Sequence, residues 1–232
     1  MTIDKTAIRD AATVIVLRDR EGDPSVLMGQ RGKAAAFMPN KFVFPGGAVD
    51  IEDEVVPLAG PLPEPCFTRL AEDSIGVNQT ALAAAAVREL WEETGLILGQ
   101  RGDWVDAPAD WQSFAASGHK PDARNLQFVF RAITPPGRPR RFDARFFLLD
   151  AKHLCGDADD FSAASDELQH LQWVPIREAR QFDLPFITEV VLAEVAARVG
   201  DRSPPDSVPF FKNNDEASLF LRLRGRVLPG TD

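Results

Sequence analysis

Cysteine is scarce in this chain of 232 residues: Cys66 and Cys155 stand far apart, and neither has a second Cys or a His at metal-ligand spacing. That excludes a disulfide framework and a structural zinc site, and two reduced thiols in a reducing compartment are expected. The three histidines, His119, His153 and His170, lie near no motif and read as ordinary packed or exposed side chains. Long apolar runs are missing too. Ala11 to Leu17 falls well short of the roughly 18 residues that cross a bilayer and stops at Arg18-Asp19-Arg20. Met1 to Asp10 lacks the basic-then-apolar order of a secretory signal, so a cytoplasmic protein with no membrane partner is expected. Basic charge is in deficit, with 26 Lys and Arg against 35 Asp and Glu, a formal net charge of -9. Such a balance excludes a sequence-blind grip on nucleic-acid phosphates, so any anionic substrate must be met by a local cation cluster or a bound metal.

What remains is a globular composition, 44% hydrophobic and 26% charged. Ala11 to Leu17 and Ser25 to Met28, split by the turn-forming Asp19 to Pro24, predict a hairpin. Phe42-Val43-Phe44 runs into Pro45-Gly46-Gly47, where the backbone turns sharply. From Ile51 to Asn78 the chain is acidic and punctuated by Pro57, Pro61, Pro63 and Pro65, which predicts an inserted loop with a short helix at Cys66 to Asp73. Ala81 to Thr94 is dominated by strong helix formers, with Thr80 as the expected cap and Gly95 as the stop. A loop containing Trp104 and Trp111 follows. Strands at Leu126 to Ile133 and Phe142 to Asp150 flank a Pro/Gly/Arg turn, Leu168 to Val174 is a further strand, Ile187 to Val199 an amphipathic helix, and Val208 to Leu228 extended. With no repeat, low-complexity tract or Gly/Ser linker, residues 1–232 read as one α/β domain with a loop insertion.

The chemistry sits in the helix, at Arg88-Glu89-Leu90-Trp91-Glu92-Glu93-Thr94-Gly95-Leu96. Positions i, i+3 and i+4 share one helical face, so Glu89, Glu92 and Glu93 are crowded together beside the apolar face of Ala83, Ala86, Val87, Leu90 and Trp91. Like charges at that spacing repel. Either the face is solvated and offset by nearby cations, or the converging carboxylates form a site for a hard divalent ion such as Mg²⁺ or Mn²⁺.

Gly46-Gly47, a spaced acid, and then Arg88-Glu89-Leu90-x-Glu92-Glu93-x-Gly95-Leu96 together resemble the signature of the Nudix hydrolases. The second half is intact. In the first half the acid that follows Gly47 after five intervening residues is Asp53 rather than Glu, with Asp50, Glu52 and Glu54 as other counterparts, and residues 54–87 add about 27 to the usual spacing. Phe37-Met38-Pro39, the inserted signature and Arg141-Phe142-Asp143-x-Arg145-Phe146-Phe147 are similar to a subgroup that includes peroxisomal coenzyme A diphosphatases. Asp166-Glu167-Leu168 leading to Trp173-Val174-Pro175 adds to the likeness, which runs from about 10 to 195, with the insertion at 54–79 and a C-terminal extension at 200–232.

The resemblance implies an α/β/α sandwich with a mixed central sheet, and a Mg²⁺- or Mn²⁺-dependent hydrolase of a nucleoside diphosphate linked to another moiety. It implies Glu89, Glu92 and Glu93 as metal ligands with the backbone of Gly47. Glu92 and Glu93 are the catalytic carboxylates, Arg88 orients the acids, and Glu167 is an outside candidate for general base. Arg31, Arg141 and Arg145 are candidates for substrate phosphates. Coenzyme A or an acyl ester is the substrate the subgroup suggests, although Ala36 and Asn40 replace the Arg and Gly of a coenzyme A signature known in other members. The expected partner is a small nucleoside diphosphate derivative, with no nucleic acid, and with a homodimer left open. The competing readings are a Nudix-like domain that senses a nucleotide metabolite without cleaving it, and an acidic-helix interaction protein without metal.

Overall fold

The computed structural model describes residues 7–74, 76–214 and 217–225. Strands β1 (Ile8–Arg18) and β2 (Ser25–Arg31) form the expected antiparallel hairpin. The short β3 (Phe42–Val43) and β4 (Gly46–Ala48) follow, and then a 3-10 turn at Ile51–Val55. Helix α1 (Glu64–Ala71) begins two residues before the Cys66 start expected for it, because Pro65 fits a first helical turn, where its missing N–H costs nothing. Helix α2 (Gln79–Thr94) carries the acidic face. Its cap is Asn78 and not Thr80: Asn78 Oδ1 accepts from the backbone N–H groups of Thr80 and Ala81, both at 3.1 Å. Gly95 ends the helix in the left-handed region at φ 74.

The segment that follows, expected as a loop, folds into a two-stranded ribbon of β5 (Gly99–Arg101) and β6 (His119–Pro121), enclosing a 3-10 turn at Ala109–Trp111 and helix α3 (Gln112–Ala116). Strands β7 (Gln127–Ile133) and β8 (Arg141–Asp150) pair antiparallel, β9 (Leu168–Pro175) lies against β2, and α4 (Phe186–Ala197) precedes β10 (Val208–Asn213) and β11 (Ser218–Leu223). The extended reading of Val208 to Leu228 holds as these two strands, with 226–228 outside the described residues.

Nine strands make one mixed sheet in the order β11-β10-β7-β8-β1-β2-β3, with β4 beside β1 and β9 beside β2. At its centre β1 runs parallel to β8 from Ile8↔Arg141 to Leu17↔Asp150, a pairing that is stable only when both faces are covered. The two-residue period of β1 shows how they are covered. Ala12, Val14 and Val16 join the core under α1, α2 and α3, while Ile15 and Leu17 join the core under α4. The result is a single-domain α/β/α sandwich. Among the described residues no helix is long and apolar enough to cross a membrane.

Candidate active site

Helix α2 lies over the sheet with a run of alanines, Ala81 and Ala83 to Ala86, buried against the core, so its backbone comes close to β1 and β4. The acidic C-terminal half is thereby pressed onto Gly46 and Gly47 of β4, an extended segment and not the sharp turn expected there. A Cβ built on Gly47 would stand 2.3 Å from Glu89 Oε1, so this position admits only glycine while Glu89 lies there. The backbone N–H of Gly46 donates to Glu93 Oε2 at 2.7 Å.

Arg88 organises the cluster. Its Nε donates to Asp53 Oδ1 at 3.0 Å, and its Nη2 to Asp53 Oδ2 at 2.9 Å and to the carbonyl of Ala48 at 3.0 Å. Nη1 donates to Glu89 Oε1 at 2.9 Å and to Glu92 Oε2 at 3.1 Å. A guanidinium has five N–H donors, and all five are engaged. Burial alone would weaken its hold on the proton, but the bonds to Asp53 and the charges of Glu89 and Glu92 outweigh burial and raise it further into the cationic range. Asp53 is fully buried, so of the four acids considered for the first signature position it is Asp53 that grips Arg88. Asp50 lies at 3.6 Å from Arg88 Nη2, Glu52 is bonded by the N–H of Asp110, and Glu54 is exposed.

The three glutamates differ in environment. Burial pushes Glu89 up to about 7, against the pull of Arg88 and with the push of Glu92. Glu93, 1% exposed, is raised well above the usual carboxylate range by burial and then by Glu89, and its Oε1 has no hydrogen-bond partner. Glu92 is raised by burial more modestly, and 37% of its side chain reaches solvent. The donor set is all oxygen, and a buried carboxylate oxygen without a partner sits beside a second buried carboxylate, as a hard divalent cation requires. Among the described residues no three acidic, His or Cys side chains already close into a cage, and Glu89 and Glu92 are both bonded to Arg88. In the chemistry of their donors the residues fit a divalent metal ion, with the unpartnered Glu93 Oε1 as one ligand atom.

Arg31 and Glu167 meet at the rim, at 3.1 Å, and the charges of both reach Glu93. Arg141 and Arg145 are placed differently from the expectation. Arg141 is 7% exposed and donates to the carbonyls of Thr134 and Asn213. Arg145 is fully buried and paired with Asp10 and Asp143. Neither is bonded to the carboxylate cluster: Arg145 is engaged by Asp10 and Asp143, and Arg141 by the carbonyls of Thr134 and Asn213. Trp111 is a contact that sequence spacing could not show. It stands 58 residues from Asp53, and its Nε1 donates to Asp53 Oδ1 at 3.2 Å.

A glycine strand seated under a helix of glutamates, on a mixed sheet covered on both faces, defines an α/β/α sandwich protein with a buried acidic cluster at the edge of its core. A family model for the NUDIX domain matches residues 7–195, and the chain belongs to that family. It is 30% identical over 166 residues to a Caenorhabditis elegans protein named as nudix hydrolase 7, a match that covers 66% of this chain and 47% of that protein, so the chain spans about half of that relative's length. A crystal structure of a NUDIX hydrolase from Alicyclobacillus acidocaldarius superposes with a TM-score of 0.61 at 28% identity, covering 86% of this chain and 99% of that one.

Proposed function

We propose that the chain is a divalent-metal-dependent hydrolase that cleaves the diphosphate linkage of a nucleoside diphosphate joined to another moiety. The observation that carries this reading is the partnerless Oε1 of buried Glu93 beside Glu89, which lies against Gly47. We assign Glu89, Glu92, Glu93 and the backbone of Gly47 to hold Mg²⁺ or Mn²⁺. Such an ion, when bound, supplies charge neutralisation for the diphosphate and polarisation of the attacking water. Water oxygen forms the new bond to phosphorus, the bridging P–O bond breaks, and the freed phosphate carries off the bond's electron pair. We assign Glu92 to take the proton from water, on its exposure to solvent. Arg88, with all its donors engaged, keeps the glutamates in place rather than touching substrate. Of the three arginines considered for substrate, Arg31 is retained: it lies at the rim, and its Nε lacks a partner. Coenzyme A and its acyl esters are the finer proposal for substrate, resting on the subgroup resemblance of the sequence.

The test is incubation with Mg²⁺ and a panel of adenine dinucleotides, nucleotide sugars, coenzyme A and acyl-coenzyme A, with products identified by mass spectrometry. Glu92→Gln and Glu93→Gln should each lower turnover by about a hundredfold or more while leaving the circular dichroism spectrum unchanged. Absence of metal-dependent cleavage across the panel, or wild-type turnover in both variants, would overturn the proposal.

A further inference from the structure

The intact Arg88 pairing is unexpected on local grounds, because the acid that grips it is one methylene shorter than the usual glutamate and sits before a long insertion. The geometry around Asp53 supplies the reason. Oδ1 accepts from Arg88 Nε and from Trp111 Nε1, and Oδ2 accepts from Arg88 Nη2 and from the backbone N–H of Asp50 at 2.9 Å. Four hydrogen bonds saturate a carboxylate, and three of them come from Arg88 and from Asp53's own turn. The fourth comes from the segment between β5 and β6.

That segment is fastened at two further points, one on the 3-10 turn at Ile51–Val55 and one on the acidic helix. The N–H of Asp110 donates to Glu52 Oε2 at 2.9 Å, and Trp91 of α2 donates to Ser113 Oγ at 3.0 Å. Trp111 is fully buried, with its ring 5.5 Å from Phe114, which in turn lies 6.0 Å from Trp91. An indole clamped this way has little freedom, so its N–H direction is fixed relative to α2. A buried carboxylate that lost one of its four donors would be held less firmly about its Cβ–Cγ bond, and Arg88, paired to both of its oxygens, would be positioned less firmly with it.

We propose that Trp111 is a positioning residue of the active site, which orients Asp53 so that Arg88 holds Glu89 and Glu92 in register for the metal ion. The inference rests on the reading of α2 as the hydrolytic site.

The experiment compares wild type with Trp111→Phe, and with a chain carrying β-(3-benzothienyl)alanine at position 111, which keeps the indole shape, replaces its N–H by sulfur, and stands in should the phenylalanine variant not fold. Mn²⁺ binding without substrate, kcat and KM are measured for each, alone and combined with Asp53→Asn. Loss of the donor should weaken Mn²⁺ binding and lower kcat by about tenfold, with KM changed less than about twofold. In the Asp53→Asn background the same loss should cost less than about twofold, since Trp111 acts through Asp53. Wild-type Mn²⁺ affinity and kcat in the benzothienyl chain, or effects that multiply with Asp53→Asn, would overturn the inference and leave the hydrolytic reading standing. If wild type itself binds no Mn²⁺, the hydrolytic reading fails and the inference goes with it.

Discussion

Glu89 carries its negative charge against burial, and the consequence can be measured without substrate. Its carboxyl group is pushed from an ordinary 4.5 to about 7. Between those values the folded chain keeps a proton that the unfolded chain has released, so Glu89's contribution to stability falls as pH rises through that window and is lowest above 7. Glu89→Gln removes the charge and keeps an acceptor for Arg88. In metal-free buffer the variant should be more stable than wild type at pH 8, on the order of 1–3 kcal/mol, with the advantage fading toward pH 5. Urea unfolding at the two pH values checks this, and a wild type that is the more stable of the two at pH 8 contradicts it. At this scale much of the site was legible. The spacing of Glu89, Glu92 and Glu93 placed them on one face, and counting from Gly47 led to Asp53. Trp111 was not legible, because a hydrogen bond across 58 residues leaves no periodic trace.

At the scale of elements, helix α2 separates stability from chemistry along its length. Its first turn is held by Asn78, far from the glutamates, and its last turns are pressed on Gly46 and Gly47 of β4. Asn78→Ala should cost about 1 kcal/mol and leave kcat unchanged. Gly47→Ala should do the reverse in emphasis. Its new Cβ meets the Glu89 carboxylate at 2.3 to 2.6 Å, so the glutamate must leave its place and turnover should fall by about tenfold or more. Melting curves and initial rates on both variants decide the matter, and equal loss of rate in the two would refute the division. The same helix shows what propensity reveals and what it hides. Its body and its Gly95 stop were plain from composition, whereas the choice of cap depended on whether Asn78 or Thr80 left the helical backbone first, which a sequence with two good capping residues does not settle. Helix α3 and the β5–β6 ribbon were hidden for a related reason: α3 spans only Gln112–Ala116, too short for a 3.6-residue period to show.

Across the whole molecule, the insertion inside the signature is held by buried charge rather than left as a loose loop. Arg131 on β7 pairs with Asp143 on β8 at 2.6 Å, and its Nη1 donates to the carbonyls of Glu72 and Asp73 just past α1, both at 3.1 Å. Arg145 joins the same Asp143 at 3.1 Å and reaches Asp10 on β1. The C-terminal strands reach the same point: Lys212 on β10 pairs with Asp73 at 2.7 Å, and the N–H groups of Arg224 and Gly225 donate to Glu72 Oε2. Sequence alone offered Arg141 and Arg145 for substrate phosphates, because charge composition does not reveal that strand alternation turns Arg145 and Asp143 into the interior together. The two groups of contacts should differ sharply in weight. Asp143 is buried between two arginines that would be left without their shared partner, so Asp143→Ala should cost about 3–5 kcal/mol, while Lys212→Ala, which breaks a partly exposed pair, should cost less than about 1. Hydrogen exchange locates the effect as well as its size. In Asp143→Ala the amides of α1 should exchange faster relative to wild type than those of α4, which the network does not touch, because Arg131, which anchors the carbonyls after α1, loses the carboxylate that fixes it. Equal acceleration in both helices would mean that the network stabilises the sandwich generally and does not fasten the insertion to it.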